Sequence, residues 1–381
     1  MRVQGPWIED AATQAVCHAL TSQGFQALFV GGCVRNALLG VAVTDIDIAT
    51  DALPEDTMRC AKDAGLRAIP TGLEHGTITV VSGGIAHEIT TFRDDVETDG
   101  RHAKVRFSKS VAHDAARRDF TMNAIYAQAN GDVIDPLGGL ADLNARHVRF
   151  IGNADTRIQE DYLRSLRFFR FTAWYGNSAL GIDAEGLASV AANLDGLDQL
   201  SRERVDTELM KLLTAPDPSP AIAAMRSAGV LAKVLIGADD RALAPLAHYE
   251  QSLGLAPDPV RRLSALVGTQ NADEMRLSKA DKKRWAILRD EIGSMNSAGH
   301  LGYLHGANLA LDVLVLRSAI LEQPVSARDI SNVKKGDAAQ FPIKAADLPD
   351  LSGRALGARL KELEAAWIKS EFTLSRGDLL D

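Results

Sequence analysis

The signals for secondary structure change type part-way along this 381-residue chain. Up to about residue 140, short β-like runs alternate with helical segments, and glycine pairs such as Gly31-Gly32 punctuate them. Beyond about residue 155 strand signals are sparse, and alanine, leucine, arginine and glutamate dominate, as in helical arrays. The sequence therefore predicts an α+β protein, with a mixed β-sheet and helices in a head over 1–140 and only helices after it.

Proline marks a further boundary in the helical part. The stretch TAPDPSP at 214–220 separates one helical block from the next. We therefore expect a helical neck over 141–213 and a helical body and tail over 214–381.

The composition is that of a folded intracellular protein. Hydrophobic residues make up 46% of the chain and charged residues 24%, enough apolar material for substantial cores. Its apolar runs are interpreted as too short for a membrane span, and the start MRVQGPWIED lacks the apolar segment of a secretory signal. Three cysteines without a CxxC motif fit reduced thiols and exclude a cysteine zinc site. These features predict a cytoplasmic location.

Net charge is a weak guide to the partner. The chain carries −8, but its positive charge is local, with basic patches that include RHAKVRFSK at 101–109 and ADKKRW at 280–285. Because phosphate binding depends on where positive charge lies, the acidic balance does not exclude a nucleic acid.

Two aspartates share one face of a predicted strand. Asp45 and Asp47 in VTDIDIAT are two residues apart, so both side chains leave the same face while Ile46 and Ile48 point into a core. Neighbouring carboxylates repel each other, and a cation relieves that repulsion. Oxygen ligands of this kind suit Mg²⁺, although simple polar-out alternation gives the same pattern.

A glycine pair precedes these aspartates. In LFVGGCVRNALLG, the pair between a predicted strand and helix leaves backbone N–H groups open to a phosphate. Arg35, one turn into that helix, can reach the same anion with a forked pair of donors. Together with the two aspartates, this indicates a phosphate site beside a metal site.

A third motif carries arginines at regular spacing. EDYLRSLRFFR at 160–170 lacks glycine and proline, and its leucines and phenylalanines predict a helix. Its charges also fit an ordinary surface helix with ion pairs at i,i+3 and i,i+4. The run alone does not decide whether its charges belong to a functional site or to an ordinary surface helix.

In combination, these motifs resemble those of the nucleotidyltransferases that build or repair the CCA end of tRNA, and of their relatives the bacterial poly(A) polymerases. GGCVRNALLG with TDIDIAT is similar to the head motif of that family, and EDYLRSLRFFR to its templating helix. Other matches lie between them in order: DGRHAKVRF at 99–107 for the flexible loop, RRDFTMNAIY at 117–126 for sugar recognition, and IDPLGGLADL at 134–143 for the junction of head and neck. The resemblance spans nearly the whole chain.

The resemblance implies a function for each part. The head would be the catalytic nucleotidyltransferase domain, the neck would carry the base-selecting helix, and the body and tail would bind tRNA. Asp45 and Asp47 would be the catalytic residues and would hold a two-ion Mg²⁺ site. The nucleotide-binding residues that it implies are Gly32, Arg35, Arg118, Asp161, Arg164, Arg167 and Arg170.

The chemistry of base selection can be rebuilt from two of these residues. Cytosine and adenine both present an amine donor beside a ring-nitrogen acceptor, and Asp161 with Arg164 complements that edge. Guanine and uracil would leave polar groups unpaired, which discriminates strongly. Three residues apart, they project from neighbouring positions on one helix face. Arg170 would lie on the opposite side of an ideal helix from Asp161, so only the resemblance brings it to the site.

Two positions stay open at this point. The family usually has an aspartate where Asn36 stands. If that carboxylate only orients the neighbouring arginine, the amide oxygen of asparagine can replace it; if its charge matters, activity would be lower. Glu88 lies on a predicted strand and is either a third carboxylate beside Asp45 and Asp47 or a residue that faces solvent.

We therefore expect an enzyme that adds C and A from CTP and ATP to the 3′ acceptor end of tRNA, with release of pyrophosphate. We expect neither DNA nor a membrane as a partner, and the sequence gives no oligomeric state. A poly(A) polymerase is the nearest alternative, although such enzymes commonly carry a strongly basic extension. An enzyme that adds only CC or only the last A also fits. A tRNA-binding protein without catalysis is favoured only by Asn36 and opposed by the intact aspartates.

Overall fold

The structure is a computed structural model that describes residues 1–99, 102–266 and 275–381. The chain divides into two compact units. Unit 1 comprises Met1–Glu208 and Ala224–Val234, and unit 2 comprises Leu209–Ala223 and Leu235–Asp381. The first change of unit, after Glu208, lies close to the predicted boundary at 213, whereas residue 140 lies inside unit 1. The three functional parts predicted above remain a prediction.

The strands are in unit 1. Those of the described residues are β1 (Leu28–Val30), β2 (Ile46–Thr50), β3 (Arg67–Gly72), β4 (Thr77–Ser82), β5 (Ile85–Thr91), β6 (Arg93–Asp99), β7 (His102–Phe107), β8 (Tyr126–Gln128) and β9 (Val133–Ile134). Seven of them form one sheet in the order β3-β4-β5-β2-β1-β8-β9, and β6 pairs with β7. Only β2 and β5 run parallel in the described sheet. The predicted mixed sheet is therefore confirmed, and residues 100 and 101 of the predicted flexible loop lie outside the described residues.

Apolar residues hold the two central strands in the core. Phe29 and Ile48 are fully buried, and Ile46 is 8% exposed. This confirms the predicted alternation in β2, because the isoleucines face inward and Asp47 between them faces the other side of the sheet. The core thereby fixes the direction in which that aspartate points.

Helices pack around this sheet. Unit 1 contains α1 (Pro6–Glu9), α2 (Ala11–Thr21), α3 (Gly32–Leu38), α4 (Pro54–Asp63), α5 (Val111–Ala116), α6 (Gly139–Ala145), α7 (Ala154–Glu160), α8 (Leu163–Tyr175) and α9 (Ala184–Ala192). The next two helices, α10 (Arg202–Leu213) and α11 (Ser219–Ser227), have residues in both units, and α12 (Val230–Val234) again belongs to unit 1. Shorter 3₁₀ turns span Leu73–His75, Thr121–Asn123 and Leu194–Gln199.

Aromatic packing fastens α8 to the rest of unit 1. The ring of Phe120 lies 5.0 Å from both Phe150 and Phe171, centroid to centroid, and Phe150 stacks on Phe168 at 5.3 Å. All four side chains are at most 4% exposed. Rings at these distances attract one another beyond the burial of their area, so α8 has a defined position in unit 1.

The predicted continuous helix over 160–170 is wrong at its start. Helix α7 ends at Glu160, Asp161 has extended backbone angles (φ −156°, ψ 104°), and α8 begins at Leu163. The carboxylate of Asp161 accepts a hydrogen bond from the backbone N–H of Leu163 at 3.1 Å. Aspartate often satisfies the free donors at a helix start in this way, and here that preference interrupts the run.

Unit 2 is helical throughout its described part. Its remaining helices are α13 (Leu243–Ser252), α14 (Pro259–Leu266), α15 (Lys279–Ile292), α16 (Ala298–Leu321), α17 (Ala327–Ala338), α18 (Gly353–Lys369) and α19 (Arg376–Leu380), with a 3₁₀ turn at Ala345–Asp347. A serine side chain accepts a hydrogen bond from the first turn of four of these helices, and the serines are Ser278, Ser297, Ser326 and Ser375. Such caps fix where each helix begins.

Helix α16 has the length and apolar composition of a membrane span, contrary to the expectation from the sequence, but its backbone leaves the helical conformation at Gly306 (φ 79°, ψ 164°). Its contacts are those of a core helix. Asp312, near its middle, is 7% exposed and accepts hydrogen bonds from Arg261 at 2.7 Å and Arg284 at 2.6 Å. At Gly336, α17 approaches so closely that a Cβ would lie 1.9 Å from the carbonyl oxygen of Gly299. A buried charge and packing this close are those of a helix that packs against other helices of unit 2.

Candidate active site

The acidic residues of the site lie on two parallel strands at the centre of the sheet. Asp47 on β2 and Glu88 on β5 are direct register partners, so their side chains share one face. Asp45 directly precedes β2, is exposed, and accepts a hydrogen bond from the Thr44 hydroxyl at 3.2 Å. Glu88 is thus next to the predicted pair, and its exposure is consistent with either interpretation left open by the sequence.

Crowded negative charge alters the chemistry of Asp47. Burial, and then the neighbouring Glu88 and Asp45, raise the pKa of its carboxyl to about 6, although Arg118 and Arg35 oppose the rise. A carboxylate that is costly to ionise in the free protein gains most from a cation beside it.

The donor set of this face fits a hard cation such as Mg²⁺. Among the described residues, no three His, Cys, Asp or Glu side chains converge enough to hold an ion without other ligands. One or two carboxylates are what Mg²⁺ takes from proteins when phosphates and water complete its shell. Asp45 and Asp47 are thus suitable for an ion that arrives with its substrate.

The glycine turn lies beside these carboxylates. Gly31 has a left-handed φ of +69° and precedes α3, which begins at Gly32. A Cβ on Gly31 would lie 3.6 Å from Nη1 of Arg118, the same arginine that lowers the pKa of Asp47. The conformation therefore requires glycine at Gly31 more than at Gly32, the residue that the sequence singled out.

Arg35 follows the turn and is 6% exposed. Its guanidinium donates to the Oδ1 atom of Asn123 at 2.6 Å and to the Tyr175 hydroxyl at 2.8 Å. It also donates twice to Oδ1 of Asn36, at 3.2 Å from Nε and 2.9 Å from Nη2. Asparagine at position 36 therefore orients the arginine through its amide oxygen, as one of the two interpretations required.

Arg118 is held in place by Asp114 and Tyr126. Its Nη2 donates to Asp114 at 2.9 Å, and its Nε donates to the hydroxyl of Tyr126 at 3.1 Å. Burial lowers the pKa of Arg118, but the charge of Asp114 and the bond to Tyr126 outweigh burial and raise it. The arginine is thus permanently charged and rigidly held. Asp114 carries no sequence signal for this role, whereas Tyr126 is the last residue of the segment that resembles the sugar-recognition motif.

The next residue, Asp119, joins this segment to α8. It accepts from Arg167 at 2.7 Å and from the amide of Asn123 at 2.9 Å, and Asn123 in turn binds Arg35. Burial raises the pKa of Asp119, but Arg167 and the hydrogen bonds outweigh it and hold the pKa at about 2. Arg167 thereby belongs to a continuous polar chain that runs from α8 to α3.

Other partners hold Asp161 and Arg164. Because Asp161 lies outside the helix, the two residues do not share a helix face as predicted. Asp161 pairs with Nη2 of Arg204 at 2.7 Å. Arg164 pairs with Glu160 and donates to the backbone oxygen of Arg117 at 3.2 Å. Each residue of the predicted base-selecting pair is thus held by different partners.

Arg170 lies further along α8. Its Nε donates to Glu208 at 2.6 Å, and its guanidinium lies 4.7 Å from the centroid of Phe171. The guanidinium carbons of Arg35 and Arg167 lie 5.1 and 5.3 Å from the same ring. Three predicted nucleotide-binding arginines therefore surround one buried aromatic side chain, an arrangement that cation–π attraction favours.

Comparison with known proteins agrees with this geometry. The chain matches the Poly A polymerase head domain over residues 27–149, and the probable RNA and SrmB-binding site of polymerase A over 180–240. It is 30% identical over 400 residues to the mitochondrial CCA tRNA nucleotidyltransferase 1 of Mus musculus, covering 100% of this chain and 92% of that protein. It is 41% identical over 284 residues to the CCA-adding enzyme of Geobacillus thermodenitrificans, covering 74% of this chain and 63% of that protein.

A solved structure extends the similarity to the fold. The CCA-adding enzyme of Bacillus stearothermophilus, in complex with CTP, superposes with a TM-score of 0.77 at 27% sequence identity. The alignment covers 97% of this chain and 94% of that one.

Proposed function

Because the chain belongs to the family of CCA tRNA nucleotidyltransferases, we propose that it adds C and A, from CTP and ATP, to the 3′ end of tRNA without a template strand. The observation that carries the proposal is the meeting of the acidic strands and the glycine turn at Arg118. The charge of that guanidinium lowers the pKa of Asp47, and its Nη1 atom lies next to Gly31. A metal-bound triphosphate needs these two surfaces side by side.

The head residues would perform the nucleotidyl transfer. Asp45 and Asp47 would hold Mg²⁺ ions, which lower the pKa of an attacking 3′-hydroxyl and stabilise the charge on departing pyrophosphate. Gly32 and Arg35 would position the phosphates, and Arg118 would contact the ribose or a phosphate. Arg118 is suited to this since Asp114 and Tyr126 already fix it, so little freedom is lost when substrate binds.

The neck residues would choose the base. Asp161 would accept the exocyclic amine of cytosine or adenine, and Arg164 would donate to the adjacent ring nitrogen. Arg204 and Glu160 support the role by limiting the motion of these two side chains. Arg167 and Arg170 would complete the positive surface around the nucleotide. The body and tail would bind the tRNA acceptor arm through shape and backbone contacts.

The cytoplasm remains our proposal for the location. The three cysteines, Cys17, Cys33 and Cys60, are buried free thiols, as in a reducing compartment. Curated relatives also include mitochondrial enzymes. Fractionation of the source cells would test the location directly.

An extension assay tests the activity. The protein, with Mg²⁺, would be given tRNAs that end before CCA, after C and after CC, with each labelled nucleotide separately and together. Completion of CCA on the shortest tRNA, with a stop after A and no incorporation by Asp47→Ala, is expected. Addition that halts at CC or starts only from CC would instead mean a partial enzyme. Long A tails on any RNA would mean a poly(A) polymerase, and tRNA binding without incorporation would mean a non-catalytic protein.

A further inference from the structure

Arg35 has an unusual set of partners for a buried cation. In the part of the chain that the structure describes, its guanidinium makes four side-chain hydrogen bonds, all to the neutral oxygens of Asn36, Asn123 and Tyr175. Buried arginines are commonly paired with carboxylates, which cancel their charge. Arg35 is instead oriented by dipoles. The carboxylate of Asp119 attracts it without a direct hydrogen bond, so its guanidinium is not paired with a carboxylate among the described residues. One of its five N–H groups is also left over from these bonds.

Tyr175 holds Arg35 from a distant part of the chain, through two contacts. Its hydroxyl accepts the Nη2 hydrogen bond at 2.8 Å, and its ring centroid lies 4.1 Å from the guanidinium carbon. The ring also packs against Phe171, 5.4 Å away, which fixes its direction. One side chain thus restrains the guanidinium both by a hydrogen bond and by its aromatic face.

The position of Tyr175 gives this contact a consequence. It is the last residue of α8, the helix whose first turn carries Arg164. Arg35 follows the glycine turn on α3. Tyr175 is therefore a direct connection between the helix that would read the base and the segment that would hold the phosphates.

We infer that Tyr175 is a positioning residue for the triphosphate of the incoming nucleotide: it holds the charged guanidinium of Arg35 in the orientation that meets a phosphate. The inference rests on the proposed function, in which Arg35 contacts phosphate. Tyr175 acts through Arg35 and touches neither the base nor the reacting atoms. Its effect is expected to be the same for CTP and ATP.

Simple packing makes a different prediction. A tyrosine that only fills space could be replaced by phenylalanine without consequence, because the ring and its contact with Phe171 are kept. If the hydroxyl orients Arg35, the same change leaves a buried N–H without its acceptor and lets the guanidinium turn. The two interpretations therefore predict different effects of removing the hydroxyl oxygen of Tyr175.

The experiment compares Tyr175→Phe with the wild type and with Tyr303→Phe. Tyr303 lies in unit 2, and its hydroxyl donates to Glu364 at 2.6 Å, so this control also loses one hydroxyl hydrogen bond. Equilibrium binding of ATP and of adenosine would be measured without tRNA, and KM and kcat for CTP and ATP would be measured with it.

We expect Tyr175→Phe to bind ATP about three- to tenfold more weakly and to raise KM for both nucleotides by a similar factor. Adenosine binding, kcat and the preference for C and A over U and G should stay close to those of the wild type. Tyr303→Phe should bind ATP as the wild type does. A general loss of structure would weaken adenosine and ATP alike.

Equal ATP affinity in Tyr175→Phe and the wild type, or an equal loss for adenosine and ATP, would overturn the inference. Neither result would contradict the proposed function, provided that the wild type completes CCA on tRNA. Conversely, a wild type that binds ATP but extends no tRNA would overturn the proposed function, and the comparison of ATP with adenosine would still decide the role of Tyr175.

Discussion

Asp47 and Glu88 stand opposite each other on adjacent parallel strands, with their side chains on the same face of the sheet. Burial and this acidic neighbour bring the pKa of Asp47 to about 6 in the free protein. The negative charges of the site therefore destabilise the folded protein until a cation binds. This is expected if Asp47 serves to bind a metal ion.

Removal of this charge should stabilise the free protein and destroy its activity. The folded protein holds the Asp47 proton more tightly than the unfolded chain does, so stability falls as pH rises from about 4 to about 6. In chelator at pH 7.5, Asp47→Asn is expected to raise the free energy of unfolding by about 1 to 2 kcal/mol. The gain should vanish near pH 4, and incorporation with Mg²⁺ should be lost. Urea unfolding at both pH values measures this.

Asp45→Asn is the matched control for that experiment. Since Asp45 is exposed, the same chemical change there should alter the free energy of unfolding much less. A similar gain in both variants, or a gain that persists at pH 4, would contradict the assignment of the strain to the Asp47–Glu88 pair.

Asp119 should show the opposite dependence on pH. Its pKa is held at about 2, so its contribution to stability is fully present above pH 4 and is lost as pH falls toward 2. Asp119→Asn is expected to be less stable than the wild type by about 2 kcal/mol at pH 6, with a smaller difference at pH 3. Urea unfolding at pH 6, 4 and 3 gives the comparison. A difference that stays constant with pH would mean that the ion pair with Arg167 is not its source.

Asn36 should act through its side-chain oxygen. Asn36→Ala removes the acceptor of two Arg35 hydrogen bonds and is expected to lower kcat/KM for ATP by about tenfold. Asn36→Asp keeps an oxygen in place and should retain more activity than the alanine variant. Steady-state kinetics with CTP and ATP would rank the three proteins. An aspartate variant no better than alanine would show that orientation of Arg35 is not what position 36 supplies.

In unit 2, Glu250 should be indispensable for stability. It is 1% exposed and accepts hydrogen bonds at 2.8 Å from both Arg261 and Arg262, which are also buried. Glu250→Gln would leave two buried cations without their shared carboxylate, at an expected loss of about 3 kcal/mol. Chemical unfolding followed by tryptophan fluorescence reports the change, since Trp285 and Trp367 lie in this unit.

Glu362→Gln provides the comparison for Glu250, because Glu362 is exposed and its partner Arg359 is only half-buried. That variant should lose less than about 0.5 kcal/mol. Equal losses at the two positions would show that the buried network contributes no more than a surface pair.

Local patterns predicted the parts of the site that local rules build. The alternation around Asp47 was visible because strand side chains alternate, and the glycine turn because few residues adopt a positive φ. The break at Asp161 has no glycine or proline to mark it, and the only local signal for it is the preference of aspartate for helix starts. The role of Tyr175 lay beyond any local rule, since its partner Arg35 is 140 positions away in the chain.

Helix α8 also constrains how this protein can change over generations. Asp119, Glu208 and Arg35 each meet a different side chain of the helix, namely Arg167, Arg170 and Tyr175. A one-residue insertion after Arg167 would rotate everything beyond it by about 100° and take Arg170 and Tyr175 from their partners together. Substitutions can be accepted there one at a time, whereas insertions and deletions cannot. Natural variants of this chain should therefore differ in the composition of α8 but keep its length.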